Sequence, residues 1–179
     1  PPGEIGSPFP TFQLPTVTGE ALNSSDLKGF KAIVVGFICN HCPYVMAIED
    51  RMIALAKEMK SKGVLFIGVC SNDTEEYPED SIENLKKRWL EKEYGFPYLV
   101  DESQIAAKTF GAVCTPDFFV YDEERKLRYR GRLDDSWKNS SLVQKQELKM
   151  ALEDILLGQK VLPEPKPSMG CSIKWKDEN

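Results

Sequence analysis

The chain has a single histidine, few basic residues and no long apolar run. Its 23 lysine and arginine residues are outnumbered by 28 acidic ones, which gives a net charge of -5. Because a basic face supplies most of the affinity for nucleic acid, we expect no nucleic-acid partner. The longest apolar run, Ala32 to Cys39, has eight residues, and a membrane span requires roughly 18. We therefore expect no membrane span.

Cysteine is also scarce, at positions 39, 42, 70, 114 and 171. An odd count with one close pair excludes the disulfide framework typical of small secreted domains. A length of 179 residues suits one domain with a sizeable core. We therefore expect a single domain over residues 1–179, in which a proline-rich tail over residues 159–179 packs on or near the rest.

The segment that carries most information is Cys39-Asn40-His41-Cys42-Pro43. An apolar, largely β-branched run over residues 32–38 predicts a buried strand before it, and helical spacing of apolar residues over 43–61 predicts a helix after it. The sulfur of Cys39 is then expected beside a helix N-terminus, where unpaired N–H groups and the helix dipole favour an anion. Because a thiolate is the reactive form of cysteine, the segment predicts redox chemistry.

The remaining elements alternate between strands and helices. Strands are predicted over residues 64–70, 96–100, 117–121 and 126–130, with short N-terminal strands near 11–14 and 17–22. Helices are predicted from about 80 to 95, where Asp80 and Glu83 resemble a capping box, and over 104–110 and 141–157. The fold class is therefore α/β, with a mixed central β-sheet flanked by helices on both sides and an N-terminal β extension.

This order of elements, with Cys-x-x-Cys-Pro after a central strand and x-Pro before a hairpin, resembles the thioredoxin fold. Residues 6–14 are similar to the Gly-x-x-Ala-Pro-x-Phe-x-Leu opening of redoxins, the group that includes peroxiredoxins. Residues 39–43, 114–119 and 171–175 are similar to segments of a peroxiredoxin-like subgroup of thiol–disulfide isomerase/thioredoxin proteins. The resemblance extends from about residue 5 to residue 157, and the tail segment adds to it.

The resemblance implies roles for individual residues. Cys39 matches the attacking cysteine of thioredoxin, and Cys42 matches the resolving cysteine. Pro116 matches the cis-proline that faces the disulfide and pairs with the substrate backbone, and Thr115 before it fits the isomerase type. The position of the buried aspartate of thioredoxin is occupied by Ile33, so proton transfer to Cys42 would need another group or water.

The residues between and after the two cysteines are expected to face the substrate and to tune the disulfide. They are Asn40, His41 and Pro43. His41 occupies the place that histidine has in disulfide isomerases, and we expect it to favour the Cys39 thiolate by charge or hydrogen bonding. Such stabilisation favours the reduced form, so we expect a reduction potential above that of thioredoxin.

Three cysteines lie outside the pair. Cys70 ends an apolar strand and is expected to be a core residue. Cys114 precedes the expected cis-proline by two residues, and a structural and a redox role are equally open for it. Cys171 lies in the tail, where it is either an unpaired thiol or a third redox cysteine.

The predicted function is a thiol–disulfide oxidoreductase that acts through a Cys39–Cys42 disulfide, without metal or other cofactor. Its expected partners are protein thiols or disulfides, or an electron-donor reductase. We expect a cytoplasmic location, or a periplasmic or exported one if a leader has been removed. Nothing in the sequence specifies an oligomeric state.

Three alternatives remain. A thiol peroxidase would use Cys42 or Cys39, and Cys42-Pro43 matches half of the peroxiredoxin pattern, but Cys39 stands where that pattern has threonine. A zinc site could use Cys39, His41 and Cys42, although zinc usually takes four ligands and no second Cys-x-x-Cys exists. A non-enzymatic binding module on a redox scaffold would keep its role without Cys39.

Overall fold

A computed structural model describes residues 1–177 of the chain. In the chain order of these residues the strands are β1 (Gln13–Pro15), β2 (Ala21–Asn23), β3 (Ala32–Phe37), β4 (Val64–Cys70), β5 (Tyr98–Val100), β6 (Cys114–Thr115), β7 (Asp117–Asp122), β8 (Leu127–Gly131) and β9 (Cys171–Ser172). Five of them form the central sheet in the order β5-β4-β3-β7-β8. β3, β4 and β5 are parallel, whereas β7 and β8 are antiparallel to their neighbours. The mixed sheet predicted from the sequence is confirmed.

Four α-helices cover this sheet within the described residues. They are α1 (Pro43–Lys60), α2 (Ile82–Glu91), α3 (Ile105–Phe110) and α4 (Glu147–Leu156). Residues of α1, α2 and α4 pack together in one apolar cluster, and residues of α3 pack in the other, on the opposite face of the sheet. None of these helices combines the length and the apolar character that crossing a membrane would require.

The central strand β3 is buried along its whole length, as its apolar sequence predicts. Its side chains alternate between the two faces, so Val34 joins the cluster of α1 while Ile33 and Val35 join the cluster of α3. The helix α1 begins at Pro43, whose missing N–H costs nothing in the first turn. The strand and the helix therefore hold the Cys-x-x-Cys segment between them.

Two predicted helix starts were wrong. The N-cap of α2 is Ser81, whose side chain accepts a hydrogen bond from the Asn84 N–H at 3.3 Å, so Asp80 and Glu83 form no capping box. The carboxylate of Asp80 is instead buried and accepts a hydrogen bond from the Asn40 N–H. The helix α4 begins at Glu147 because the chain before it forms a separate 3-10 turn over Ser140–Leu142 and then extends.

The sheet topology brings three segments to one edge. β3 and β4 are parallel, so the loops that follow them leave the sheet on the same side. β7 runs antiparallel to β3 with Asp117 opposite Phe37, which places the residues before Asp117 beside those after Phe37. The Thr115–Pro116 peptide bond is cis, as the resemblance implied.

The C-terminal segment returns to this edge as a strand that the sequence did not predict. β9 pairs antiparallel with β6, with Cys171 opposite Thr115 and Ser172 opposite Cys114. The Ile173 N–H then donates to the Val113 carbonyl at 3.0 Å, and the Ile173 side chain is buried.

Candidate active site

The two cysteines of the Cys-x-x-Cys segment lie together at the end of β3. Cys39 follows the strand, and Cys42 is the N-cap residue of α1. Both are free thiols, and their exposed fractions are 2% and 1%. The Cys39 sulfur lies 3.7 Å from the Thr115 hydroxyl oxygen, and the Cys42 sulfur lies 3.3 Å from the Thr115 carbonyl oxygen. Strand end, helix start and the residue before Pro116 therefore enclose one pair of sulfurs.

The surroundings of the pair favour negative charge on Cys42. A hydrogen bond from the Cys39 thiol lowers the pKa of Cys42, and further bonds from the Thr115 side chain and the Val45 N–H act in the same direction. The pKa of Cys39 is raised by its hydrogen bond to Cys42, by burial and by the Asp80 carboxylate. Cys42 is the N-cap residue of α1, where the helix dipole favours a thiolate, and as a thiol it donates a hydrogen bond to the Thr115 carbonyl oxygen. That Cys39 supplies the attacking thiolate stays a prediction.

Asp80 is the site residue that the sequence analysis missed. Its buried carboxylate accepts hydrogen bonds from the Asn40 N–H at 2.7 Å and from the Asn72 amide at 3.0 Å. The His41 Nδ1 lies 2.9 Å from the second oxygen of Asp80, and the His41 ring stacks on Tyr77. The sequence offered one signal for Asp80, namely its position in the polar loop after β4. Because β3 and β4 are parallel, that loop begins at the same sheet edge as the Cys-x-x-Cys segment.

The contacts of His41 are with the loop after β4. Its Nδ1 lies beside the Asp80 carboxylate, which raises the pKa of Cys39, and the effect of His41 on the Cys39 thiolate stays a prediction. The Asn40 side chain donates to the Glu79 carbonyl at 2.9 Å, which joins the Cys-x-x-Cys segment to the same loop. Pro43 is exposed at the first position of α1.

A sequence comparison identifies the family. The model of the AhpC/TSA family matches residues 5–130. The chain belongs to the AhpC/TSA family. The thiol:disulfide interchange protein DsbE of Pseudomonas fluorescens biotype C is 30% identical to this AhpC/TSA chain over 153 residues, which are 80% of this chain and 77% of that protein.

Solved structures confirm the fold of this AhpC/TSA protein. An uncharacterized conserved protein from Geobacillus kaustophilus superposes with a TM-score of 0.94 and 45% identity, covering 99% of this chain and 95% of that one. A thiol:disulfide interchange protein of the thioredoxin family from Chlorobium tepidum TLS superposes with a TM-score of 0.58 and 25% identity, covering 69% and 83%. The resemblance to thioredoxin-fold redoxins is therefore confirmed.

Three side chains of the AhpC/TSA site could together contact a metal ion. Ligand atoms of Cys39, His41 and Asp80 lie within 4.8 Å of one another. Thiolate, imidazole and carboxylate are all donors that zinc accepts, although a structural zinc site usually has four. The zinc site considered from the sequence had Cys42 as its third ligand, whereas in the structure the third side chain is Asp80.

The other cysteines of this AhpC/TSA chain differ in their distance from the pair. Cys171 lies directly opposite Thr115, and burial and the neighbouring Cys42 raise the pKa of Cys171. The Cys114 sulfur lies 3.9 Å from the Pro116 carbonyl oxygen, and burial raises the pKa of Cys114 to about 12. Cys114 and Thr115 are neighbours on one strand, so their side chains point to opposite faces, and Cys114 faces away from the pair. Cys70 is a buried core residue, as expected.

Proposed function

We propose that this protein is a thiol–disulfide oxidoreductase that exchanges disulfides with protein substrates through Cys39 and Cys42. The observation that carries the proposal is that both sulfurs lie at Thr115, between a strand end and a helix N-terminus: Cys39 is 3.7 Å from its hydroxyl and Cys42 is 3.3 Å from its carbonyl oxygen. A thiol and a thiolate held in this way can exchange with a substrate disulfide. The relative from Pseudomonas fluorescens, which is named a thiol:disulfide interchange protein, supports the same chemistry.

Proton transfer within the pair makes Cys39 the nucleophile in this scheme. When the proton moves from Cys39 to Cys42, the Cys39 thiolate attacks a substrate disulfide, forms a mixed disulfide and expels one substrate thiolate. The Cys42 thiol gives its proton to that leaving group. The Cys42 thiolate, stabilised by the Val45 N–H, then attacks the Cys39 sulfur and expels the second substrate thiolate. The protein ends oxidised at the Cys39–Cys42 disulfide, and the substrate ends with one thiol and one thiolate, which takes its proton from water.

No metal or organic cofactor takes part in this scheme, because the electrons stay on sulfur throughout. We place the protein in the cytoplasm, where reduction of substrate disulfides is the natural direction and a reductase returns the electrons. Asn40, His41, Pro43, Thr115 and Pro116 are proposed to face the substrate and to tune the pair.

The test is turnover of a disulfide-bonded model protein with dithiothreitol as electron donor, measured without and then with EDTA. Cys39→Ser and Cys42→Ser are expected to abolish turnover, whereas Cys114→Ser, on the other face of β6, keeps it. A binding module would show no turnover in any variant, and loss of wild-type turnover on adding EDTA would contradict the metal-free scheme.

A peroxidase is the second candidate, and the thiolate environment of Cys42 at the N-terminus of α1 favours it. In that reaction the Cys42 thiolate attacks one oxygen of a peroxide and becomes a sulfenic acid. The O–O bond breaks, and the rest of the peroxide leaves as an alcohol or water. The Cys39 thiol then attacks the sulfenic acid, closes the disulfide and releases water. Stoichiometric consumption of hydrogen peroxide, with a sulfenic acid trapped at Cys42 in Cys39→Ser, would establish this activity.

A further inference from the structure

The tail strand β9 faces the active site. It pairs with β6 so that Cys171 is directly opposite Thr115. Side chains of directly opposed residues in an antiparallel pair lie on the same face. Because the Thr115 hydroxyl lies 3.7 Å from the Cys39 sulfur, this face is the one that meets the cysteine pair.

The sulfur of Cys42 also lies at the residue that Cys171 opposes. It is 3.3 Å from the carbonyl oxygen of Thr115, and hydrogen bonding to the side chains of Cys39 and Cys171 lowers the pKa of Cys42. Cys171 also packs against the apolar cluster that contains both Cys39 and Cys42. The three cysteines therefore meet at one edge of the sheet.

The strand that carries Cys171 is held on both sides of this residue. After Cys171, the Lys174 N–H donates to the Asn72 side chain at 2.8 Å, and the Gln104 amide donates to the Lys174 carbonyl at 2.9 Å. Before it, the backbone of Gly170 approaches Thr115 so closely that an added Cβ would lie 2.4 Å from the Thr115 carbonyl oxygen. The position of the third thiol is therefore built into the fold.

The three thiols also differ in access to solvent. Cys39 and Cys42 are buried, whereas Cys171 is partly exposed. Of the three residues, Cys171 is therefore the most accessible to an external reductant.

We propose that Cys171 is a third redox-active cysteine, which takes over the disulfide from the Cys39–Cys42 pair by bonding to Cys42. This inference rests on the proposed exchange function. The Cys171 sulfur attacks the Cys42 sulfur, the Cys39–Cys42 bond breaks, and the Cys42–Cys171 bond forms. Cys39 leaves as a thiolate and receives the proton that Cys171 loses, so the step consumes no oxidant.

The transferred disulfide gives an electron donor a reachable target. A dithiol reductase attacks Cys171, which forms a mixed disulfide and expels the Cys42 thiolate. The second thiol of the reductase then closes its own disulfide and releases Cys171. Electrons thereby pass from the donor to Cys42 through the tail, while Cys39 remains the residue that meets substrate.

The test uses full-length Cys39→Ser oxidised with glutathione disulfide, trapped in acid, alkylated and mapped by mass spectrometry. We expect an intramolecular Cys42–Cys171 disulfide, unchanged in Cys39→Ser/Cys114→Ser and lost in Cys39→Ser/Cys171→Ser. A Cys39→Ser protein that stops at a glutathione adduct, or that joins Cys42 to Cys114, would overturn the proposal.

Partly oxidised wild-type protein provides a second readout that needs no substitution at Cys39. Both the Cys39–Cys42 and the Cys42–Cys171 peptides are expected there. If only Cys39–Cys42 forms, the role of Cys171 fails and the exchange function stands. If neither disulfide forms, the exchange function itself fails.

Discussion

At the scale of single residues, Asp80 decides how the charges of the site are arranged. Its buried carboxylate joins the backbone of Asn40, the ring of His41 and the side chain of Asn72, and its charge raises the pKa of Cys39. A carboxylate without solvent keeps its charge only where such partners surround it. Asp80 therefore acts on Cys39 through position and charge, without a bond to the sulfur.

Asp80→Asn is expected to lower the pKa of the Cys39 thiol, because the negative charge beside it is removed. The measurement is the pH dependence of Cys39 alkylation, followed residue by residue by mass spectrometry. The half-maximal rate should move to lower pH. Loss of the contacts to His41 and Asn72 should also lower the free energy of unfolding by about 1–3 kcal/mol.

The matched control is Glu83→Gln, which removes an exposed carboxylate three residues away. It should leave both the alkylation profile and the stability unchanged. An Asp80→Asn protein whose Cys39 profile equals that of the wild type would show that Asp80 does not set the charge at this thiol.

The sequence predicted the cysteine pair but not its full surroundings. Cys39 and Cys42 are adjacent because two residues and a helix start join them, which is local information. Asp80 reaches Asn40 across 40 positions of sequence, and only the parallel pairing of β3 with β4 brings it there. The N-cap residue of α1 is Cys42, whereas the sequence analysis expected the sulfur of Cys39 beside the helix N-terminus.

At the scale of elements, long apolar patterns in the sequence predict where strands and helices begin and end, and short or weak patterns do not. β4 spans Val64–Cys70 as predicted, and α1 ends one residue before the expected Ser61, because long apolar patterns define both. The two-residue strand β9 has no such pattern, and it exists only because β6 offers it a partner. The proline-rich tail therefore contains a strand, β9, that contacts the active site although the sequence does not predict it.

Ile173→Ala is expected to loosen β9 and to expose Cys42. Ile173 is 2% exposed in the apolar cluster of α3, and truncation of a buried isoleucine costs roughly 2–5 kcal/mol. The tail has few other apolar anchors, so this cost should appear as local opening. The measurement is the alkylation rate of Cys42, which should rise severalfold.

Ile105→Ala is the control, because it makes the same chemical change at a side chain that is 65% exposed on α3. Its alkylation rate should equal that of the wild type. If Ile173→Ala loses global stability while Cys42 stays as protected as before, the tail is not an independent cover.

At the scale of the whole molecule, one buried carboxyl links stability to pH. Asp117 starts β7 and is 4% exposed, and burial raises its pKa to about 7 although Arg130 lies 3.5 Å away. The folded protein therefore keeps a proton on Asp117 between about pH 4 and 7, where the unfolded chain has released it. Stability from this group is complete at low pH and is lost as the pH rises towards 7.

Asp117→Asn should remove this dependence, because the amide carries no titratable proton. Urea denaturation at pH 5 and pH 8 measures it. The wild-type free energy of unfolding should fall relative to that of Asp117→Asn by up to roughly 1.4 kcal/mol per pH unit over the titration. An unchanged difference between the two proteins at both pH values would mean that Asp117 is ionised throughout.

Cys39 and Cys42 are expected to form a reversible dithiol–disulfide couple. Equilibration of the full chain with glutathione buffers, followed by trapping and mapping of the thiols, measures this couple. We expect a Cys39–Cys42 disulfide with a potential above about -270 mV, the value for thioredoxin, and a lower potential in His41→Ala. Absence of this disulfide at every glutathione ratio, with peroxide converting Cys42 to a sulfenic acid instead, would contradict this expectation.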